Sequence, residues 1–287
     1  MTLAMTTSLR SPSRLLIEPE IKAALREDMG RAGDVTSELI IPADQKAVAK
    51  LVTRKPGHIA GLNAAEIAFR LIDPSVQFEI ARPDGSAVEA GTTLATISGP
   101  ARAILTGERV ALNFLGPLSG VATATARLVE AVKHTKARIV CTRKTLPNLR
   151  VLQKYAVRCG GGFNHRFGLD DAVLIKDNHI AAAGGIAPAL ERVRTGLGHM
   201  VKIEVEVDTL AQLEEALSLH ADTALLDNMP LDDLRRAVAM AKGRAILEAS
   251  GNVTLETVRG IAETGVDYIS SGAITHSATN LDIGLDF

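Results

Sequence analysis

The chain has 287 residues, 46% of them hydrophobic and 23% charged, and its 33 acids and 32 bases leave a formal net charge of −1. This composition excludes a disordered chain, a collagen and a disulfide-dense mini-protein. The missing basic surplus argues against nucleic-acid binding driven by counterion release, and no apolar run approaches the roughly 20 residues of a membrane span.

The opening run MTLAMTTSLRSPSR is rich in Ser and Thr, holds no acid and lacks the apolar stretch of a secretory signal. Residues 1–13 read as a flexible tail and the protein as cytoplasmic. Cys141 and Cys159 match no zinc or redox spacing, which fits free thiols in a reducing compartment.

Residues 14–117 read as a smaller α+β domain. A helix over Ile17–Met29 ends at Gly30, and alternating apolar positions make Lys46–Thr53 a strand. A helix follows over Ala64–Leu71, then strands over Val76–Ala81 and Thr93–Ile97, bounded by Gly and Pro. Residues 102–133 are helical by periodicity. A break is expected at Gly116-Pro117, which sets the domain boundary.

From Arg138 the pattern changes. Short apolar runs recur at Ile139–Thr142, Ala172–Lys176, Lys202–Asp208, Ala224–Asp227, Ala245–Ala249 and Tyr268–Ser270. Helical stretches separate them at Leu149–Arg158, Ile186–Thr195, Leu210–Leu219, Leu231–Lys242 and Leu255–Thr264. Alternation at this spacing means βαβ units and a parallel sheet. With no dinucleotide fingerprint, the fold class is α/β, a TIM-like barrel over 118–276. Six units are two short of eight, so the barrel is open or incomplete. The last residues, 277–287, are expected to pack on the smaller domain.

Chemistry in a parallel barrel gathers at the carboxyl ends of its strands, and all six runs end in polar or small residues. Strict alternation places Lys202, Glu204, Glu206 and Asp208 on one face of the third strand. For Glu204 a structural network with Lys202, Lys144 and Lys176 competes with ligand contact; Glu206, nearer the strand end, points to a ligand. Asp227 ends the next strand and could reach the same ligand or a Mg²⁺ ion. Arg143, Lys144, Arg166 and Lys176 cluster in or after the first two strands. Several cations at one barrel mouth in a neutral protein imply a small polyanion, and arginine suits carboxylates. Ser250-Gly251-Asn252 and Ser271-Gly272-Ala273 end the last two strands. A helix expected from near Thr254 would complete a phosphate site.

The run TRKTLPNLRVLQKYAVRCGGGFNHRFGLDDAVLIKDNHI resembles the core signature of the quinolinate phosphoribosyltransferase family. So do KIEVEVD, LLDNM, LEASGNVT, ETGVDYISSGAITHS and GERVALNFLGPLSGVAT. The resemblance covers the chain from about Arg14 to its end. It implies an open α/β barrel with an N-terminal sandwich domain, at least a homodimer, and Mg²⁺ as cofactor. The implied reaction makes nicotinate mononucleotide, CO₂ and pyrophosphate from quinolinate and phosphoribosyl pyrophosphate. It puts Thr142, Arg143, His165, Arg166 and Lys176 around the quinolinate carboxylates, with Arg109 contributed by the partner subunit. Lys144, Glu206 and Asp227 would be catalytic and hold the ribose and diphosphate with Mg²⁺. Ser250, Gly251, Asn252, Ser271, Gly272 and Ala273 would hold phosphate oxygens. Where the family often reads Thr-Thr-Pro-Gly, this chain has Thr145-Leu146-Pro147-Asn148. Rival readings are a related phosphoribosyltransferase of the same family acting on a different acidic heterocycle, a Schiff-base aldolase using Lys144 or Lys176, and a non-catalytic sugar-phosphate sensor.

Overall fold

The computed structural model describes residues 9–287, so most of the expected tail, residues 1–8, lies outside the described residues. The chain divides into two units. One holds the chain up to Ala126 with Thr145–Gly161 and Thr275–Phe287; the other holds Arg127–Lys144 and Gly162–Ile274.

In chain order the first elements are α1 (Arg14–Met29), α2 (Val35–Ile40), β1 (Lys46–Thr53), β2 (Gly57–His58), α3 (Leu62–Ile72), β3 (Gln77–Ile80), β4 (Ala87–Val88), β5 (Thr93–Pro100) and α4 (Ala101–Val132). Then come β6 (Arg138–Val140), α5 (Arg150–Cys159), β7 (Val173–Ile175), α6 (Asp177–Ala183), α7 (Ile186–Gly196), β8 (Ile203–Val207) and α8 (Leu210–Ser218). The chain ends with β9 (Thr223–Asp227), α9 (Leu231–Ala241), β10 (Ile246–Ser250), α10 (Val258–Ala262), β11 (Tyr268–Ser270), α11 (Ala273–His276) and β12 (Ile283–Asp286).

The first unit is built on an antiparallel sheet in the order β12-β1-β5-β3. The C-terminal residues join it, with Leu51 paired to Leu285. Ile17, Ile21 and Leu25 form the buried i, i+4, i+8 stripe of α1, and α3 buries Leu62, Ala65, Ile67 and Phe69. Asp84 organises the start of α3. Its carboxylate accepts the backbone N–H of Gly61 at 3.1 Å and of Leu62 at 3.2 Å, and the Tyr155 hydroxyl at 2.9 Å. Burial raises the Asp84 pKa while these three donors pull it down. Cys159, in the same unit, is a free buried thiol pushed up to about 12 by burial and then by the charge of Asp84, so it is inert at neutral pH.

Pro117 does not break α4, which runs as one 32-residue helix. Gly116 and Gly120 mark a close approach instead. The Leu281 N–H donates to Gly116 O at 3.0 Å, and a Cβ at Gly120 would collide with Thr279 O. This packing holds the helix through the proline, and the compact first unit takes in α4 up to Ala126. Helix α5, which periodicity places among the barrel helices, belongs to the first unit. There Gln153 donates to Thr275 O at 2.7 Å and accepts from Leu146 N at 2.8 Å. Asn148, where the family often has glycine, takes the left-handed conformation at φ 63°.

The second unit is an open α/β barrel: a six-stranded parallel sheet in the order β6-β11-β10-β9-β8-β7. Val205, Val207, Leu226, Leu247 and Ile269 form its buried apolar layer. The alternate positions, Glu206, Leu225, Asp227, Glu248, Ser250 and Ser270, line the opposite face. Among the described residues β6 and β7 do not pair with each other, which leaves the barrel open between them.

Candidate active site

One cavity of about 410 Å³ opens at the carboxyl ends of these strands. Every residue lining it belongs to the second unit. Thr142, Arg143 and Lys144 follow β6; His165 and Arg166 follow the triple glycine; Lys176 follows β7; all six line the cavity. The Thr142 hydroxyl accepts the Lys144 N–H at 3.0 Å, and His179 Nδ1 accepts the Lys176 N–H at 3.0 Å, so both cationic turns are pinned locally. Burial, and then the charge of Arg143, hold the Arg166 guanidinium below its ordinary range. Two like charges are thus held together in a half-buried wall. The Nε atoms of both arginines are buried without a hydrogen-bond partner. Such an arrangement is stabilised by a bound anion.

Glu206 and Asp227 line the facing side, at the ends of β8 and β9. Burial raises the Glu206 pKa, Lys176 at 3.6 Å pulls it down, and Asp227 pushes it up again. The rest of the expected charged row does not reach the cavity. The strand spans only Ile203–Val207, so Lys202 and Asp208 are exposed outside it, and Lys202 lies 4.0 Å from Asp222. Glu204 does not join a lysine network: it is buried, and its Oε2 lies 2.7 Å from His165 Nε2.

Ser250 lines the cavity, and the turn after it is tightly built. Gly251 sits at φ +98°, and a Cβ there would collide with the Asn228 side chain. Asn252 donates to Asn228 Oδ1 at 3.3 Å. The helix expected from Thr254 begins only at Val258 and has five residues. Thr254 and Thr257 instead exchange backbone-to-hydroxyl bonds of 2.9 and 3.3 Å in a turn, a local alternative that Ser and Thr offer to helix. Gly272 and Ala273 sit at the start of the single turn α11, and the Ser271 N–H donates to Val140 O at 3.0 Å. Gly251, Asn252, Ser271, Gly272 and Ala273 adjoin the cavity-lining Ser250 and Ser270 without themselves lining the cavity. Arg109 is exposed on α4, in the first unit.

Sequence reasoning missed Glu248 and Ser270. The signal was present: alternation puts Glu248 on the face of Ser250, and Ser270, not Ser271, on the face of Tyr268. Burial, with the charge of Glu204 adding to it, pushes the Glu248 carboxyl up to about 8. Burial thus favours the neutral acid at this position. Its folded pKa exceeds the unfolded value, so its favourable contribution is complete below about pH 4.5 and is lost as pH rises to about 8. Glu248→Gln, which cannot ionise, is expected to match wild type at about pH 4 and to melt progressively higher than wild type from there up to about pH 8. Parallel melting curves across that range would contradict this.

Residues 34–119 match the family description "Quinolinate phosphoribosyl transferase, N-terminal domain", and residues 121–286 match its C-terminal-domain counterpart. The chain belongs to the quinolinate phosphoribosyltransferase family. It is 45% identical over 260 residues to a probable nicotinate-nucleotide pyrophosphorylase [carboxylating] of Bacillus subtilis, covering 91% of this chain and 89% of that one. It is 45% identical over 273 residues to the nicotinate-nucleotide pyrophosphorylase [carboxylating] of Mycobacterium leprae, covering 93% and 95%. The crystal structure of NadC from Streptococcus pyogenes superposes with a TM-score of 0.93 at 40% identity, covering 97% of this chain and 98% of that one. Every cavity-lining residue falls in the stretch matched to the phosphoribosyltransferase C-terminal domain, and Arg109 falls in the N-terminal match. Among the described residues no helix is long and apolar enough to cross a membrane.

Proposed function

We propose that this chain transfers the phosphoribosyl group of phosphoribosyl pyrophosphate to quinolinate with loss of CO₂, giving nicotinate mononucleotide and pyrophosphate for NAD biosynthesis. The observation that carries this reading is the adjacent Arg143 and Arg166 pair, with Lys176 beside it, facing Glu206 and Asp227 across one cavity. Two guanidiniums held together suit two neighbouring carboxylates on one ring.

In this reading Arg143, Arg166 and Lys176, with Thr142 and His165 on the same wall, hold the quinolinate carboxylates. Lys144, Glu206 and Asp227 hold the ribose and diphosphate; Ser250, with the Gly251, Asn252, Ser271, Gly272 and Ala273 backbones, receives phosphate oxygens. Glu206 and Asp227 are hard oxygen donors on neighbouring strand ends, which fits Mg²⁺ shared with the diphosphate. When bound, that ion neutralises charge on the leaving pyrophosphate. The pyridine nitrogen attacks the anomeric carbon as the bond to pyrophosphate breaks, and positive charge builds on the ribose. Glu206 and Asp227 carry the sign that stabilises it. Loss of CO₂ leaves an electron pair beside the new pyridinium nitrogen, which stabilises the carbanion until it takes a proton. The protein's part in that step is to hold the ring.

Purified protein with quinolinate, phosphoribosyl pyrophosphate and Mg²⁺ is expected to yield nicotinate mononucleotide, CO₂ and pyrophosphate in equal amounts. Turnover of another acidic heterocycle but not quinolinate, or no pyrophosphate release at all, would overturn the assignment. The reading extends to a cytoplasmic enzyme that is at least a homodimer, with Arg109 donated across the interface. Co-expressed Arg109→Ala and Arg143→Ala chains are then expected to recover about a quarter of wild-type activity, because each mixed dimer keeps one intact site. No recovery would place Arg109 in its own chain's site.

A further inference from the structure

Around His165 lie two buried carboxyls that the proposed mechanism does not use. Glu204 and Glu248 flank His165, and ligand-type atoms of the three residues lie within 4.8 Å of one another. The donor types are those of a transition-metal site. The hydrogen bonds point elsewhere. The Arg166 backbone N–H donates to His165 Nδ1 at 2.8 Å. An imidazole that accepts at Nδ1 is neutral and carries its proton on Nε2. Nε2 is therefore the donor in the 2.7 Å bond to Glu204 Oε2, and it has no lone pair to offer a metal. Glu248 Oε1, 3.7 Å from Nε2, is beyond hydrogen-bond range and serves as the opposite wall.

The ring is thus gripped at both nitrogens, one bond leading down to β8 and the other up to the Arg166 backbone. Arg166 has a second anchor, Nη1 donating to Ala172 O at 3.0 Å. Glu204 is only 7% exposed and does not line the cavity. Its other oxygen, Oε1, is buried without a hydrogen-bond partner, so the hydrogen bonding of this carboxylate goes to His165. We propose that Glu204 is a positioning residue for the dicarboxylate substrate: it locks the His165 ring, which fixes the Arg166 backbone and so the reach of the Arg166 guanidinium. The proposal rests on the quinolinate reading above and adds to it a group that never touches substrate.

Glu204→Gln keeps an oxygen that accepts from Nε2, whereas Glu204→Leu does not. Calorimetric titration with quinolinate is expected to give wild-type affinity within about threefold for the Gln variant and about ten- to a hundredfold weaker binding for the Leu variant. Initial rates of Glu204→Leu are expected to show the same rise in KM for quinolinate. KM for phosphoribosyl pyrophosphate and kcat should stay within about threefold. A merely structural role would move both KM values together, and that result would overturn the proposal. So would a Glu204→Gln variant with lost quinolinate affinity, an outcome readable even if Glu204→Leu does not fold. A Zn²⁺-dependent rise in melting temperature abolished by Glu204→Gln would overturn it in favour of a metal site. Failure of wild type to bind or turn over quinolinate would instead remove the substrate reading beneath it.

Discussion

Arg143→Ala is expected to lower kcat/KM for quinolinate by about 10²- to 10³-fold, a loss of about 3–4 kcal/mol of binding that acts on one substrate only. Arg143 sits beside Arg166 with its Nε buried and unpaired, so in the proposed reading its removal takes one arm of the dicarboxylate clamp. It also relieves the repulsion that depresses the Arg166 pKa, which offsets a small part of the loss. KM for phosphoribosyl pyrophosphate should stay within about threefold, because Glu206 and Asp227 lie on other strands. Arg143→Lys retains charge but not the planar fork, so it should fall between the two. Initial-rate measurements varying each substrate separately check this. Equal rises in both KM values would mean that the cavity is not divided into the two zones proposed.

Asp84→Ala is expected to lower stability by about 3 kcal/mol, or about 6–12 °C in melting temperature for a chain of this size. Three donors converge on that carboxylate, two of them the orphan N–H groups at the start of α3. Removing it leaves the Tyr155 hydroxyl and both amides without their acceptor inside the first unit. Asp84→Asn keeps one acceptor oxygen but turns an NH₂ toward a donor, so about half the loss should remain. Melting curves at pH 7 measure this; a shift under 2 °C for Asp84→Ala would show that water replaces the carboxylate.

Much of this architecture was legible because local periodicity dictates it. Lys46–Thr53, read from alternation, and Tyr268–Ser270, read as a short apolar run, are strands with the expected bounds. The cations after the first two barrel strands and the acids after the next two gather at one cavity, since parallel strands bring their carboxyl ends together. What failed depended on partners far along the chain. Pro117 breaks a helix unless something braces it, and here residues 279–281 do. Thr254 starts a helix unless a hydroxyl turn with Thr257 captures its amide. Glu204 looked ready for a lysine until the fold placed His165 beside it. Leu174 and Leu225, which give the cavity its apolar wall, carry no chemical signature at all.

The unclosed ladder has one more consequence. Among the described residues β7 has a strand neighbour on one side only, and beyond its pairing with β11 β6 is met by a bridge of Val140 with Phe163. These two margins bear the cationic turns, so the proposed grip on a dianion would come from the parts of the sheet least tied to each other. A guest held from both margins would act as the missing rung, slowing amide hydrogen exchange along β6 and β7 more than along the central β9.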